Sequence, residues 1–100
     1  MAIKIKHEEG IIKIVGELTS ENATTLKQHF DNFTKELDDI ILSLDHVTHI
    51  EPGGAFTMEQ LYLDFIKSNR VIQVIGRENK NIAKTMKNTK TSYILSNDRV

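Results

Sequence analysis

Short apolar runs rich in β-branched residues alternate along this chain with stripes of helical spacing, and that alternation limits the folds open to it. Ile3-Lys4-Ile5-Lys6 alternates with period two, the pattern of a half-buried strand. His7-Glu8-Glu9-Gly10 reads as a turn, and Ile11–Val15 is a second strand, stopped by Gly16. So short a link predicts an antiparallel hairpin. Ser20 is placed to cap a helix, with Glu21 favourable in its first turn. Ala23, Leu26, Phe30, Phe33 and Leu37 then form one apolar stripe. Ile40–Leu44 and Val71–Gly76 are continuous apolar runs, the kind found in strands buried on both faces. Tyr93-Ile94-Leu95 is a shorter one. Residues 54–68 are apolar around most of a helix, which predicts that it is largely buried. Residues 80–89 turn Ile82, Ala83 and Met86 to one side and Lys80, Lys84 and Lys87 to the other, as a surface helix does. The predicted order is β-β-α-β-α-β-α-β. It implies an α/β fold with a mixed sheet whose later strands are parallel and joined by right-handed crossovers. Leu26, Phe30 and Phe33 are expected to face the sheet, with Ile41, Leu44, Val74 and Ile75 in the same core.

A chain of 100 residues suits a single domain spanning residues 1–100. No run reaches the ~20 apolar residues that cross a bilayer, so membrane insertion is not expected. The alternating N-terminus lacks a secretory signal's apolar stretch, and a chain without Cys has no disulfide, thiolate metal site or Cys nucleophile. A cytoplasmic location follows as the expectation. Charge is split along the chain. Residues 1–66 carry 5 basic and 12 acidic side chains, residues 67–100 carry 8 and 2. Such a split steers partners more than it sets a fold. The basic stretch Arg77, Lys80, Lys84, Lys87 and Lys90 has only Tyr93 as a nearby aromatic, and the pI is near 6.4. Nucleic-acid binding favours a domain pI above ~9 and stacking aromatics, so a solvated helix face is the expectation.

Gly16-Glu17-Leu18 leads from a strand into a capped helix. A later strand ends in Leu44-Asp45-His46-Val47-Thr48-His49-Ile50, followed by Glu51-Pro52-Gly53-Gly54 and an apolar helix. This arrangement, over residues ~3–95, resembles the STAS domain shared by bacterial anti-sigma factor antagonists and anion transporter tails. The resemblance implies a STAS-like mixed sheet packed with helices and a binding role rather than catalysis. It implies a protein partner of the kinase-type anti-sigma factor class. The antagonist branch carries Asp-Ser-(Ser/Thr)-Gly at the start of its second helix, and its phosphorylated Ser follows the Asp. By position Glu51 falls at the Asp, Pro52 at the phosphorylated Ser, Gly53 at the next hydroxyl residue and Gly54 at the Gly. Only Gly54 matches, and Pro52 offers no acceptor oxygen, so the phosphorylation motif is degenerate. Asp45 resembles the Asp common at the end of this strand in the family, where its role is structural. Family members commonly close with a further helix. Here Ser96–Val100 supplies at most its first turn, and an apolar patch so left open could be covered by a second copy of the chain, giving a homodimer.

The loop itself carries more than one reading. Pro52 suits the first position of a helix and holds Glu51 extended. Gly53 and Gly54 leave first-turn N–H groups bare, which could receive an anion, or could simply permit close packing. The partner-binding or ligand-binding loop is assigned to Glu51, Pro52, Gly53, Gly54, Ala55 and Phe56. Ala55 shares a helix face with Met58 and Tyr62, whereas Phe56 shares one with Glu59 and Leu63 and is expected to be partly exposed. The function expected is a regulatory protein-interaction module without enzyme activity or cofactor. The alternative is a module for a small anion, nucleotide or lipid that serves a transporter. Asp45, His46, His49 and Glu51 form the one group of metal-ligand types, at a spacing that matches no zinc pattern. Ser43 lies in an apolar strand without a Gly-x-Ser-x-Gly setting, and no phosphate-binding glycine fingerprint occurs. A hydrolase built on Asp45, His49 and Glu51 is therefore the least favoured reading.

Overall fold

The computed structural model describes residues 3–96. The expected hairpin forms from β1 (Ile3–Glu8) and β2 (Ile11–Leu18), antiparallel through a tight Glu9-Gly10 turn. Both turn residues are left-handed, at φ 51° and 83°, the geometry that matches the twist of a hairpin's strands. His7 and Glu8 belong to the strand, so the turn is shorter than the sequence predicts. Gly16 does not stop β2. At φ 115° it bends the strand where its register shifts, and β2 changes neighbour there. Residues 11–13 pair with β3 (Asp39–Ser43), and residues 16–18 with β4 (Val47–Ile50). Both pairings are parallel, and β5 (Val71–Ile75) adds to the far side of β3, also in parallel. The helices are α1 (Ser20–Thr34), α2 (Pro52–Lys67) and α3 (Lys80–Asn88).

The α/β class and the mixed sheet are as expected, and the element order differs in two places. Val47-Thr48-His49-Ile50, given no strand of its own in the predicted order, is the strand β4. The last predicted strand is instead a 3-10 turn over Ser92–Ile94, after which Leu95 makes one parallel bridge to Val74. The N–H of Ser96 then donates to the Val74 carbonyl at 2.7 Å, which covers part of the β5 edge.

The core lies on one side of the sheet. Cross-strand partners share a face, so Ile12, Leu42 and Val74 meet the helices together, and Ile5 pairs with Ile14 on that side. Ile11, Ile41 and Gln73 fall on the opposite side, as do Ser43 and Ile75. Ile41 and Ile75 are therefore half-buried rather than part of the helix-side core, whereas Leu44 and Val74 are buried. The strands are not buried on both faces, since Val71 is 62% exposed.

In α1 the inward stripe is Ala23, Leu26, Phe30 and Thr34. Thr34 takes the place predicted for Phe33, and its hydroxyl donates to the Phe30 carbonyl at 2.8 Å, so a polar side chain is buried satisfied. Phe33 turns out, 47% exposed, edge-on to His7 at 5.1 Å between ring centres. Phe30 meets Phe65 of α2 at 6.0 Å. Arg70 stacks on Phe65 at 3.9 Å and donates to the Thr34 and Leu37 carbonyls, closing the end of α1. Contrary to the expectation of a largely buried α2, only Gly54, Ala55, Met58, Leu61 and Phe65 are buried, and Phe56 and Ile66 are exposed. On α3, Ile82 and Met86 are buried and Ala83 is exposed. The closing helix common in the family, of which Ser96–Val100 supplies at most a first turn, would fall mostly on residues 97–100, which lie outside the described residues.

Candidate functional site

The start of α2 is assembled at the end of two strands. Leu18 of β2 pairs with Ile50 of β4, and the Glu51 N–H donates to the Leu18 carbonyl at 2.9 Å. Glu51 is extended (φ −95°, ψ 160°), as a residue before Pro must be, and Pro52 is the first helical residue. The Glu51 side chain does not cap its own helix. Its Oε1 accepts from the Ser20 N–H at 2.8 Å, in the first turn of α1. A carboxylate there answers both the free backbone donor and the positive end of the helix dipole.

The same end of α1 is closed a second time. Thr19, not Ser20, is the N-cap. Its Oγ1 accepts from the Asn22 N–H at 3.1 Å while Asn22 Oδ1 accepts from the Thr19 N–H at 2.9 Å. The reciprocal pair is a capping box with Asn at its third position. Asn22 Nδ2 donates to the Glu17 carbonyl at 2.9 Å, so strand end and helix start are one unit.

Gly53 and Gly54 are explained by what they touch. A Cβ on Gly53 would run into Ser20 Oγ and stand 2.7 Å from Ser20 Cβ. A Cβ on Gly54 would stand 2.7 Å from the Leu18 carbonyl oxygen and 2.9 Å from Leu18 Cγ. The first turn of α2 thus packs directly on residues 18–20, and the close-packing reading of the glycine pair is the one this geometry favours. Ala55 is fully buried beneath them. Thr57, the nearest hydroxyl downstream, is half-buried and donates to the Gly53 carbonyl at 3.0 Å. Pro52 and Phe56 face outward, with Phe56 51% exposed, as the face argument predicts.

Asp45, His46, His49 and Glu51 do not converge. Among the described residues no group of three or more His, Asp or Glu side chains could hold a metal ion. Val47 and Ile50 turn inward and Thr48 and His49 outward, while the Glu51 carboxylate is engaged at α1. No buried polar side-chain atom among the described residues lacks a hydrogen-bond partner.

Asn79 is a residue that sequence reasoning missed. Its Nδ2 donates to the carbonyls of Leu44 and Val47, each at 2.9 Å, and lies 3.4 Å from that of Asp45. Its Oδ1 accepts from the Asn81 N–H at 2.9 Å, capping α3. One amide therefore fastens α3 to the β3–β4 connection that leads to the site. An Asn just before a helical stripe is the sequence signal for the cap, though not for the fastening.

The outer side of α2 is polar and aromatic by turns. The Tyr93 hydroxyl donates to Glu59 Oε2 at 2.6 Å, and its ring meets Tyr62 edge-on at 6.1 Å. The bond to Glu59 holds the Tyr93 phenol protonated, with its pKa pushed up to about 12. On the inner flank Lys27 Nζ bridges Asp31 at 2.9 Å and Asp64 at 3.1 Å, tying α1 to α2. These bonds, that to Asp31 foremost, raise the Lys27 pKa. Partial burial works against ionisation of Asp64, but its bonds from Gln60 and Lys27 prevail and lower its pKa.

No curated protein matches the chain by sequence. Among solved structures, the anti-sigma factor antagonist SpoIIAA in its unphosphorylated form superposes with a TM-score of 0.72 at 9% identity, covering 95% of this chain and 86% of that one. The protein TM1081 gives 0.72 at 16% identity, with 96% and 79% covered. An anti-sigma factor antagonist from Mycobacterium paratuberculosis gives 0.67 at 13% identity, with 94% and 81% covered. At such identities the likeness is one of fold, and the STAS domain family itself is matched over residues 1–96. The chain belongs to the STAS domain family.

Proposed function

We propose that this chain is a single-domain, non-enzymatic protein-interaction module akin to the anti-sigma factor antagonists, acting in the cytoplasm as a regulator. The observation that carries the reading is Phe56. It stands 51% exposed one turn into α2, beside a helix start held on both sides by Glu51–Ser20 and by the glycine contacts. An exposed aromatic on a rigid base suits an interface anchor, since aromatics dominate binding hot spots. The partner surface in this reading is Glu51–Phe56 with the adjoining end of β4, and the partner class is a kinase-type anti-sigma factor.

Regulation by phosphate at the family's usual place is not part of the proposal, because Pro52 and Gly53 carry no hydroxyl. Incubation with such a kinase and ATP is expected to leave residues 51–58 unmodified. High-occupancy phosphate on Thr48 or Thr57, mapped by mass spectrometry, would reinstate a displaced switch. The reading of a small anion, nucleotide or lipid site at Gly53-Gly54 is disfavoured by Leu18 and Ser20, which press against those glycines. A homodimer is the remaining mode of association, and light scattering over a concentration series tests it. Affinity capture with purified kinase-type anti-sigma factors is the direct experiment. Complex formation supports the proposal, whereas ligand-dependent thermal stabilisation with no protein partner would replace it.

A further inference from the structure

β1 is one edge of the sheet, and the backbone on its outer side has no partner among the described residues. α1 packs on α2, and near its C-terminal end Phe33 meets His7 of β1 edge-on. Between α1 and β1 run two hollows of about 300 and 310 Å³ that share Ile5 and His29, one closed by His7 and Phe33 and the other walled by Ile3, Asn22, Thr25 and Leu26. The groove therefore lies directly beneath an open strand edge. Its floor continues the apolar side of β1, which here reaches Ile3 and Ile5.

The other side of β1 is cationic. Lys4 and Lys6 are exposed and form no ion pair with any described residue. Glu8, on the same side, is taken by Lys13 at 2.9 Å. A strand added to this edge would place alternate side chains into the groove and the others across from Lys4 and Lys6.

We propose that the β1 edge binds an extended segment of a partner protein, alternately apolar and acidic, by strand addition. Main-chain bonds along β1 would hold the segment, and the groove and lysines would select it. A second copy of β1 is a weaker occupant than an acidic segment. Antiparallel self-pairing centred on Ile5 sets Lys4 against Lys6 twice. Pairing centred on Lys6 sets that lysine against itself and Lys4 against Glu8, which Lys13 already holds. A segment with an acid opposite each lysine meets no like charge, so the lysines favour it over a second copy. This surface is separate from the start of α2 and does not depend on the role assigned to Phe56.

Peptides of about eight residues, alternating Val with Glu or Val with Lys, test the proposal when titrated against the full chain while amide hydrogen exchange is followed. The Glu peptide is expected to bind roughly tenfold tighter than the Lys peptide, from two favourable charge pairs replacing two unfavourable ones. It is expected to slow exchange in residues 3–8. The exposed double substitution Lys4→Glu with Lys6→Glu should invert the preference without lowering the melting temperature, since Lys6 faces Lys13 across the hairpin. Equal affinities, no binding by either peptide, or protection confined to 51–58 or to the lysines of α3 would each overturn the proposal. So would a dimer that protects residues 3–8 without peptide.

Discussion

The starts of α1 and α2 lie side by side at one end of the sheet and are finished by opposite means. α1 is closed by side chains, with a reciprocal Thr19–Asn22 cap and the Glu51 carboxylate reaching over from the neighbouring segment. α2 has no side-chain cap, and its first turn is fixed by bare glycine backbone set against Leu18 and Ser20. One start is satisfied by chemistry, the other by contact. Glu51 belongs to both, as the N-cap residue of α2 and an electrostatic cap on α1. At the place where the family resemblance implies a phosphorylation switch, this chain has built a joint between two helices.

The two helices also meet near their far ends, where Phe30 packs on Phe65, and the largest effect should come from removing that contact. Phe30→Ala empties the contact with Phe65 between α1 and α2 and should cost about 3–5 kcal/mol, a large share of the ~5–15 kcal/mol typical of a domain. Urea denaturation measures it. A loss within a few tenths of a kcal/mol would mean that the two helices do not depend on that packing. Next comes the contact itself. Gly54→Ala drives a methyl group toward the Leu18 carbonyl and should cost about 1–3 kcal/mol. Gly53→Ala should cost a similar amount, because the Ser20 hydroxyl can rotate aside but Ser20 Cβ at 2.7 Å and Cα at 3.1 Å cannot. A Gly53→Ala protein as stable as the native chain would show that α2 does not depend on its contact with Ser20.

The side-chain cap should prove weaker than the contact. Glu51→Gln keeps an acceptor for the Ser20 N–H and removes the charge, so the expected loss is about 0.3–1 kcal/mol at low salt and less at high salt. A loss as large as that of Gly54→Ala would reverse the ranking of the two devices.

How much of this was legible beforehand follows from the range of each interaction. The hairpin, the helices and the outward face of Phe56 were legible because period and spacing are local. β4 escaped because Val47 and Ile50 turn inward with two exposed residues between them, which matches no strand period. Tyr93-Ile94-Leu95 misled because a three-residue apolar run is equally a short helical turn. Phe33 misled because Thr34 can bury its hydroxyl by donating to Phe30, which hydropathy does not reveal. In the site, Pro52 at the helix start was legible. The engagement of Glu51 with Ser20, and of Asn79 with three carbonyls, required the fold to bring distant segments together.

The smallest effect concerns pH. The Tyr93 phenol ionises at about 12 instead of its ordinary 10.0, because its proton is shared with Glu59. A raised folded pKa means that this contribution is complete below pH 10 and fades as pH climbs through about 12, with nothing changing near neutrality. Glu59→Gln should return Tyr93 to earlier ionisation, read by phenolate absorbance. An unchanged titration would show that the bond does not form in solution.

The central claim is that the contact-built start of α2 exists to present Phe56 to a protein partner. Titration calorimetry of the native chain and Phe56→Ser against purified kinase-type anti-sigma factors, with melting curves for both, tests it most directly. The account predicts that one such factor binds the native chain, and that Phe56→Ser loses about 2 kcal/mol or more of that binding while melting as before. Undiminished binding by Phe56→Ser, or a collapse of its melting temperature, would contradict it.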